Sequence, residues 1–290
     1  MNNYIIRGVT QEGNSRFTVV DSTELVAKAQ EIHKCSGTAI AAFGRVLTAA
    51  AIMGADLKGE KSILNIKLEC DGAIKGIFVS ANSRGDIKGE VYNPYADLPP
   101  NENGKFDVKG VVGNGELRVI KDLGLKEPYI GVVPITSGEI AEDFAYYFFT
   151  SEQVASVVAL GVLVNKDLSI KKAGGYMIQL LPGPEEDFID KLEKRVGELP
   201  SISSMLDKGM TPEDIVEEIY RGIEEANVLD KQEIRYNCDC NRDKYFRGII
   251  NLGKKELEDI FSKDDKITVQ CHMCKKEYGF TKEEFREILE

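Results

Sequence analysis

Apolar and polar side chains alternate in several short stretches of the first 181 residues, with the period of two that is typical of half-buried strands. The stretch Leu64–Leu68 shows this alternation clearly, and Asp71-Gly72 after it is a strong hairpin signal. Gly13-Asn14 is a similar turn near the N-terminus. The pattern predicts strands at Tyr4–Val9, Phe17–Val20, Leu64–Leu68, Ile74–Ser80, Ile87–Tyr92, Glu116–Lys121, Val154–Val164 and Gly175–Leu181.

Helical spacing separates some of these strands. Asp21 and Glu24 have the spacing of an N-cap residue and its capping-box partner, and Ser36 and Ser137 are further candidate N-caps. The predicted helices cover residues 21–34, 36–58 and 137–149. The sequence therefore predicts an α+β protein whose mixed α/β N-terminal domain, residues 1–183, contains a largely antiparallel sheet.

A Pro-Gly-Pro break at residues 182–184 introduces a different kind of sequence. Helical spacing then covers residues 185–197, 202–208 and 212–225, with Pro or Gly between the segments. We interpret residues 184–234 as a helical linker that must bury an apolar stripe against another part of the chain. This candidate docking face consists of Phe188, Ile189, Leu192 and Val196. An ordinary docked helical arm would explain the same pattern.

The net charge of −11 is unevenly distributed along the chain. Residues 185–234 carry 15 acidic and 6 basic side chains, whereas residues 235–290 carry 12 of each. Because the acidic segment would repel a phosphate backbone, nucleic acid is not an expected partner. The sequence has no run of 18 apolar residues, and its first residues lack the basic and apolar regions of a secretory signal. We therefore expect a cytoplasmic protein that does not bind a membrane.

Four of the six cysteines form two close pairs near the C-terminus, Cys238 with Cys240 and Cys271 with Cys274. Four thiolates in this arrangement suit one tetrahedral Zn²⁺ ion, with Zn–S distances of about 2.3 Å. Each pair could also meet the Cα separation of roughly 4.4–6.8 Å that a disulfide requires. Residues 235–290 contain few large apolar side chains, and such small units often need the metal to fold. The sequence thus predicts a small C-terminal zinc-binding domain over residues 235–290.

The same cysteines could form a redox switch. Zinc keeps thiols deprotonated, oxidants attack thiolates, and oxidation would remove the ligands. The nearby basic residues Arg242, Lys244, Lys275 and Lys276 could favour the thiolates further. The alternatives are a purely structural zinc site, a constitutive zinc-ribbon interaction module without redox switching, and an enzyme. A hydrolase needs an open coordination position, which four cysteine ligands would close, so we do not expect an enzyme.

Several motifs resemble those of the heat shock protein 33 family, in the family's order and over essentially the whole chain. They are Tyr129-Ile130-Gly131, residues 137–143 (SGEIAED), Ser151-Glu152-Gln153, Ala173-Gly174-Gly175 with residues 179–182, and the C-x-C with its distant C-x-x-C. The cysteine pattern is the most specific of these. The resemblance implies a redox-regulated 33 kDa chaperonin, a cytoplasmic holdase that works without ATP and without a catalytic residue.

The resemblance also implies how such a protein is regulated. The reduced form would be inactive and would bind one Zn²⁺ per chain through Cys238, Cys240, Cys271 and Cys274. Under oxidative stress, Cys238–Cys240 and Cys271–Cys274 disulfides would form and zinc would be released. The C-terminal domain and the linker would then unfold, and the protein would form a homodimer and bind unfolded client proteins.

Overall fold

The structure is a computed structural model that describes residues 3–102 and 104–289. The chain divides into two compact units: the N-terminal unit ends at Asn237 and the C-terminal unit begins at Cys238. The N-terminal unit includes the segment that we predicted to be a linker. The fold is α+β with largely antiparallel sheets, as predicted. The division into three domains at residues 183 and 234 stays a prediction.

Thirteen strands lie within the described residues. Eleven belong to the N-terminal unit: β1 (Tyr4–Thr10), β2 (Ser15–Asp21), β3 (Ile63–Cys70), β4 (Gly76–Asn82), β5 (Asp86–Val91), β6 (Gly115–Asp122), β7 (Tyr129–Pro134), β8 (Ser156–Val164), β9 (Ile170–Leu180), β10 (Ala226–Glu233) and β11 (Arg235–Tyr236). The C-terminal unit contributes β12 (Lys266–Gln270) and β13 (Glu277–Thr281).

Helices of the N-terminal unit are α1 (Thr23–His33), α2 (Gly37–Ala55), α3 (Val108–Val112), α4 (Ala141–Tyr147), α5 (Glu186–Glu198), α6 (Ile202–Asp207) and α7 (Pro212–Tyr220). Those of the C-terminal unit are α8 (Arg242–Ile250), α9 (Lys254–Lys263) and α10 (Arg286–Leu289). A π-helical turn, Phe148–Glu152, follows α4, and a 3-10 turn, Lys282–Phe285, precedes α10.

The N-terminal unit contains two sheets. The first has the strand order β10-β1-β2-β9-β8 and is antiparallel throughout. The second has the order β11-β5-β4-β3-β6-β7, in which only the short β11–β5 pair is parallel. The predicted hairpins are confirmed, since Gly13-Asn14 joins β1 to β2 and Asp71-Gly72 lies between β3 and β4.

Helix α2 occupies the centre of the N-terminal unit and contacts strands of both sheets. Its residues are all buried except Arg45, which forms an ion pair of 2.8 Å with Glu139. The predicted cap is confirmed, because the Ser36 hydroxyl accepts a hydrogen bond from the Ala39 N–H at 3.1 Å. The helix is long and apolar enough to cross a membrane, but 94% of its most apolar window is buried inside the protein. Its small side chains therefore pack a core helix between the sheets.

Two predicted helix starts were wrong. The N-cap of α1 is Ser22, while the Asp21 carboxylate accepts a hydrogen bond from the Thr23 N–H at 3.0 Å. Helix α4 begins at Ala141 rather than after Ser137, because the buried Asp143 carboxylate holds the preceding loop. It accepts hydrogen bonds from the N–H groups of Thr136, Ser137, Gly138 and Ile140.

Helices α5, α6 and α7 cover one face of the first sheet, where they complete a group of buried residues that we call the docking cluster. Six residues come from β1, β2 and β9: Tyr4, Ile6, Phe17, Val19, Tyr176 and Ile178. Nine come from the three helices: Phe188, Leu192, Ile202, Met205, Leu206, Ile215, Val216, Ile219 and Tyr220. The helices were predicted within a few residues.

The end of the predicted linker is not helical. Residues Ala226–Glu233 form strand β10, which pairs antiparallel with β1 over its whole length. Gly222, with φ of 73°, follows α7 in the left-handed region that glycine adopts easily. The prediction of a helical linker up to residue 234 was therefore wrong in this stretch, since tertiary pairing with β1 determines its structure.

Candidate metal centre

The four paired cysteines lie at two connections of the C-terminal unit. Cys238 and Cys240 precede α8, whose N-cap Asn241 accepts a hydrogen bond from the Lys244 N–H at 2.9 Å. Cys271 and Cys274 lie in the tight turn between β12 and β13.

The β12–β13 turn is closed by backbone hydrogen bonds. The Cys271 N–H donates to the Lys276 carbonyl at 2.9 Å, and the Lys275 N–H donates to the Cys271 carbonyl at 2.8 Å. Lys275 adopts a left-handed φ of 59°, which reverses the chain after the second cysteine. The turn thereby directs the sulfur atoms of the C-x-x-C pair to one side.

The four sulfur atoms converge within 4.8 Å of one another. The Sγ atoms of Cys238 and Cys271 are 3.7 Å apart, and those of Cys240 and Cys274 are 3.3 Å apart. A disulfide would require about 2.05 Å, whereas a tetrahedral ion with Zn–S distances of about 2.3 Å places its sulfurs about 3.8 Å apart. These cysteines are thiols arranged as a metal site. Among residues 3–102 and 104–289, this is the one group of three or more potential ligands that could hold a metal ion.

Backbone N–H groups point at the sulfurs, as they do in sites that stabilise thiolates. Cys238 receives the N–H of Cys240, Cys274 receives that of Lys276, and Cys271 receives those of Met273 and Cys274. Such donors offset the negative charge that four thiolates would bring together. The donor set therefore fits a divalent, sulfur-preferring cation.

The electrostatics of the sulfurs are uneven. Burial would raise the pKa of the Cys271 thiol, but hydrogen bonds from the Tyr245 hydroxyl and from backbone N–H groups outweigh burial and lower this pKa to about 6. Burial raises the pKa of the Cys238 and Cys274 thiols above the usual range. Without a metal ion, Cys271 is thus the thiolate and its neighbours donate hydrogen bonds to it.

The basic residues near the cysteines act differently from our expectation. Arg242 forms an ion pair of 2.6 Å with Glu284, and Lys244 forms one of 2.6 Å with Asp239. Their charges are therefore offset by carboxylates. The Lys276 ammonium lies 5.3 Å from the centre of the Tyr278 ring. Hydrogen-bond donors, rather than these cations, stabilise the sulfur atoms.

A small apolar core supports the site. Its six buried residues are Ile249, Leu257, Phe261, Tyr278, Phe280 and Phe285. Aromatic rings dominate it, with the Phe246 and Phe285 ring centres 4.9 Å apart. This is a small core for a unit of 53 residues, so the C-terminal unit has little apolar burial with which to offset its chain entropy.

The candidate docking face lies in the N-terminal unit. Phe188 and Leu192 are 4% and 3% exposed and belong to the docking cluster, whereas Ile189 and Val196 are half-buried against it. Tyr220, which the sequence analysis did not single out, packs against the Phe188 ring. Its hydroxyl lies 2.8 Å from the Ser15 hydroxyl in β2.

A polar cluster beside the docking face was also missed. Glu213 in α7 accepts hydrogen bonds from the Tyr4 hydroxyl at 2.6 Å and from the Lys231 ammonium at 2.8 Å. The ammonium lies 3.9 Å from the centre of the Tyr4 ring. This cluster joins α7 to β1 and β10, and no local spacing in the sequence could have indicated it.

The remaining cysteines take no part in the centre. Cys35 is buried in the N-terminal unit, and burial raises the pKa of the half-buried Cys70 thiol to about 11. Both are therefore poor thiolates and packed side chains.

Comparison with known proteins identifies the family. A family model described as Hsp33 protein matches residues 3–281. The chain belongs to the Hsp33 family. It is 47% identical to a 33 kDa chaperonin of Clostridium perfringens, over 100% of this chain and 92% of that protein. It is 46% identical to a 33 kDa chaperonin of Agathobacter rectalis, over 99% and 100% of the two chains.

The fold is shared with a solved member of the Hsp33 family. The crystal structure of the 33 kDa chaperonin of Thermotoga maritima, a heat shock protein 33 homologue, superposes with a TM-score of 0.92 at 40% identity. The match covers 100% of this chain and 98% of that one. The resemblance noted in the sequence is thereby confirmed, and the four clustered cysteines are the candidate metal site of a chaperone-family protein.

Proposed function

We propose that this protein is a redox-regulated, ATP-independent holdase that protects unfolding and oxidatively damaged proteins from aggregation. In the inactive, reduced state Cys238, Cys240, Cys271 and Cys274 would hold one Zn²⁺ ion. The observation that carries the proposal is the convergence of four thiols within 4.8 Å in a unit with a small apolar core. The cysteines would act as ligands and switch, with no catalytic residue.

Oxidation would convert the ligands into disulfides between Cys238 and Cys240 and between Cys271 and Cys274. Each disulfide removes two electrons and two protons from two thiols, and one molecule of hydrogen peroxide accepts them to become two of water. A bridged sulfur is a poor metal ligand, so the ion would be released. This pairing rests on the family resemblance, because the two short S–S contacts join sulfurs of opposite pairs.

Loss of the ion would unfold the C-terminal unit. Metal binding contributes on the order of 10 kcal/mol in zinc-finger peptides, which is comparable to or larger than the whole stability of a typical small domain. Six buried side chains could not replace that contribution. The unit would therefore remain folded only while its cysteines are reduced.

The client-binding surface would come from the docking cluster. A holdase needs apolar surface that is covered at rest and exposed on demand. Helices α5 to α7 cover six apolar or aromatic residues of the first sheet, and they lie in the segment immediately before Cys238. Release of this segment would expose both the sheet face and the apolar side of the helices. The many acidic residues of the segment would keep a complex with an unfolded client soluble.

The remaining parts of the proposal rest on the family resemblance. They are cytoplasmic localisation, formation of a homodimer on activation, and unfolded client proteins as partners in place of nucleic acid or a membrane. Sedimentation of the reduced and oxidised protein measures the oligomeric state directly. A protein that stays monomeric after oxidation would contradict the homodimer.

The central experiment follows zinc and chaperone activity together. The reduced protein is treated with hydrogen peroxide at raised temperature or with hypochlorous acid, and zinc release is measured with a chromogenic chelator. Light scattering of a heat-denatured client measures the activity. We expect about one zinc per chain to be released as aggregation of the client is suppressed. Equal suppression by the reduced, zinc-bound protein would instead favour a constitutive zinc-ribbon interaction module.

A further inference from the structure

Two tyrosine hydroxyl groups contact the sulfur cluster. The Tyr278 hydroxyl lies 3.2 Å from the Cys240 Sγ, and the Tyr245 hydroxyl forms a hydrogen bond with the Cys271 Sγ. The two rings lie side by side, with their centres 5.1 Å apart. Tyr278 follows the C-x-x-C pair but contacts the C-x-C pair, and Tyr245 does the reverse. Each pair of cysteines therefore contains one tyrosine-bonded member, Cys240 or Cys271.

The other member of each pair has a different environment. Cys238 and Cys274, which we call the unassisted cysteines, contact neighbouring sulfurs and the backbone N–H groups of Cys240 and Lys276. The two pairs are thus asymmetric in the same sense, although their spacings differ.

The hydroxyl of Tyr278 has two possible acceptors, because it also lies 3.1 Å from the carbonyl oxygen of Cys240. When Cys240 is a thiol, its S–H can donate to the hydroxyl, and the hydroxyl donates to the carbonyl. When Cys240 is a thiolate, the sulfur can only accept, and the hydroxyl hydrogen turns to it. The hydrogen bond to sulfur is therefore made in the metal-bound and reactive states.

A hydrogen bond to a thiolate makes its electron pair less available. The reactivity of thiolates towards two-electron oxidants depends on this nucleophilicity, which falls as the sulfur becomes less basic. We propose that Tyr245 and Tyr278 are positioning residues that direct a peroxide to Cys238 and Cys274, so that the tyrosine-bonded cysteines close the disulfides. This inference rests on the proposed redox switch and adds the order in which its sulfurs react.

The chemistry of each pair then has two balanced steps. The thiolate of the unassisted cysteine attacks one peroxide oxygen, the O–O bond breaks, and a sulfenic acid and hydroxide form. The thiolate of the tyrosine-bonded cysteine attacks the sulfenic sulfur, the S–O bond breaks, and the disulfide and a second hydroxide form. The tyrosine hydroxyl keeps its hydrogen throughout.

The test uses the zinc-loaded full-length protein and two matched variants, Tyr245→Phe and Tyr278→Phe. Each keeps the ring that packs in the cluster and removes only the hydroxyl. Tyr95→Phe, at an exposed tyrosine of the N-terminal unit, is the control. We expect peroxide to release zinc roughly threefold to tenfold faster from each cluster variant than from wild type, and the control to match wild type.

Trapping of sulfenic acid with dimedone at early times, followed by peptide mass spectrometry, provides a readout that simple destabilisation would not change. In wild type the label is expected on Cys238 and Cys274. In Tyr278→Phe it is expected to spread to Cys240, and in Tyr245→Phe to Cys271. The wild-type pattern tests the inference even if a variant binds zinc poorly.

The failure of this inference can be distinguished from failure of the proposed function. If peroxide releases zinc and activates the protein while the wild-type label is found first on Cys240 or Cys271, the order of attack is wrong and the switch stands. If peroxide releases no zinc and labels no cysteine of the cluster, both are wrong.

Discussion

The N-terminal unit and the C-terminal unit are stabilised in different ways. The core around α2 contains 43 buried apolar residues drawn from both sheets and their helices, and the docking cluster adds 15 more. The C-terminal unit has six. Its other source of cohesion is the group of four sulfurs, which connects the start of α8 to the β12–β13 turn. One unit is held by apolar burial, which oxidants do not alter, and the other by ligands that oxidants can remove.

This difference explains how one chain can combine a durable scaffold with a unit that unfolds in response to a chemical signal. The docking cluster is intermediate, because it is apolar like the first core but belongs to a segment that carries most of the negative charge. Three perturbations separate these regions, and they are described from the largest expected effect to the smallest.

Metal removal is expected to have the largest effect. A zinc chelator added to the reduced full-length protein should unfold the C-terminal unit and leave the N-terminal unit folded, because metal binding is worth on the order of 10 kcal/mol to such units. Hydrogen exchange by mass spectrometry would show loss of protection in β12 and β13 with α2 unchanged, and added zinc should restore protection. Persistent protection in the hairpin would show that six buried residues suffice.

Leu192→Asp is expected to have an intermediate effect. Burying a carboxylate at this 3% exposed position should cost the docked segment about 3–5 kcal/mol and release α5 from the first sheet. Limited proteolysis between residues 184 and 237 should become faster, and the reduced protein should gain partial anti-aggregation activity. Lys194→Asp, at an exposed position of the same helix, is the matched control. Unchanged protease resistance in Leu192→Asp would contradict a role for this face in docking.

Glu213→Gln is expected to have the smallest effect, and it depends on pH. Burial would raise the pKa of the Glu213 carboxyl, but hydrogen bonds from Lys231 and Tyr4 outweigh burial and lower this pKa. A lowered pKa in the folded state contributes stability above the unfolded pKa of about 4.3, and this contribution is lost as pH falls through the folded pKa.

The substitution should therefore cost about 1 kcal/mol at neutral pH, after solvent screening of this partly exposed group, and the deficit should shrink below about pH 4. Thermal melts of Glu213→Gln and wild type between pH 3 and 7 measure the difference. Glu217→Gln, at an exposed position of α7, should behave as wild type. An equal deficit at all pH values would show that the carboxylate charge is not what matters.

These regions also differ in how far their sequences predict them. The alternation of apolar residues and the turn signals predicted most strands of the two sheets, because each strand has one face in the core. Four cysteines with this spacing predicted the metal site, since two tight turns can present sulfurs without knowledge of the rest of the fold. Helical spacing predicted α5 to α7 and the stripe that contains Phe188 and Leu192.

What the sequence did not predict depends on distant contacts. The pairing of β10 with β1 joins residues more than two hundred positions apart, and the local sequence was assigned to a helical linker. The hydroxyl groups of Tyr245 and Tyr278 reach sulfurs of the opposite cysteine pair, which spacing cannot reveal. The cap at Asp21 failed because Ser22 is drawn to a hydroxyl group in α2 instead, Thr48.

Strand β10 gives release of the linker a second consequence beside exposure of apolar side chains. It occupies the outer side of β1, where its main chain pairs from Tyr4 to Thr10. If β10 leaves, the amide and carbonyl groups along that side of β1 lose their partners, and unpaired main-chain groups at a sheet margin attract any extended polypeptide. Such a margin recognises the main chain that all proteins share, so it would accept unfolded chains without regard to their sequence.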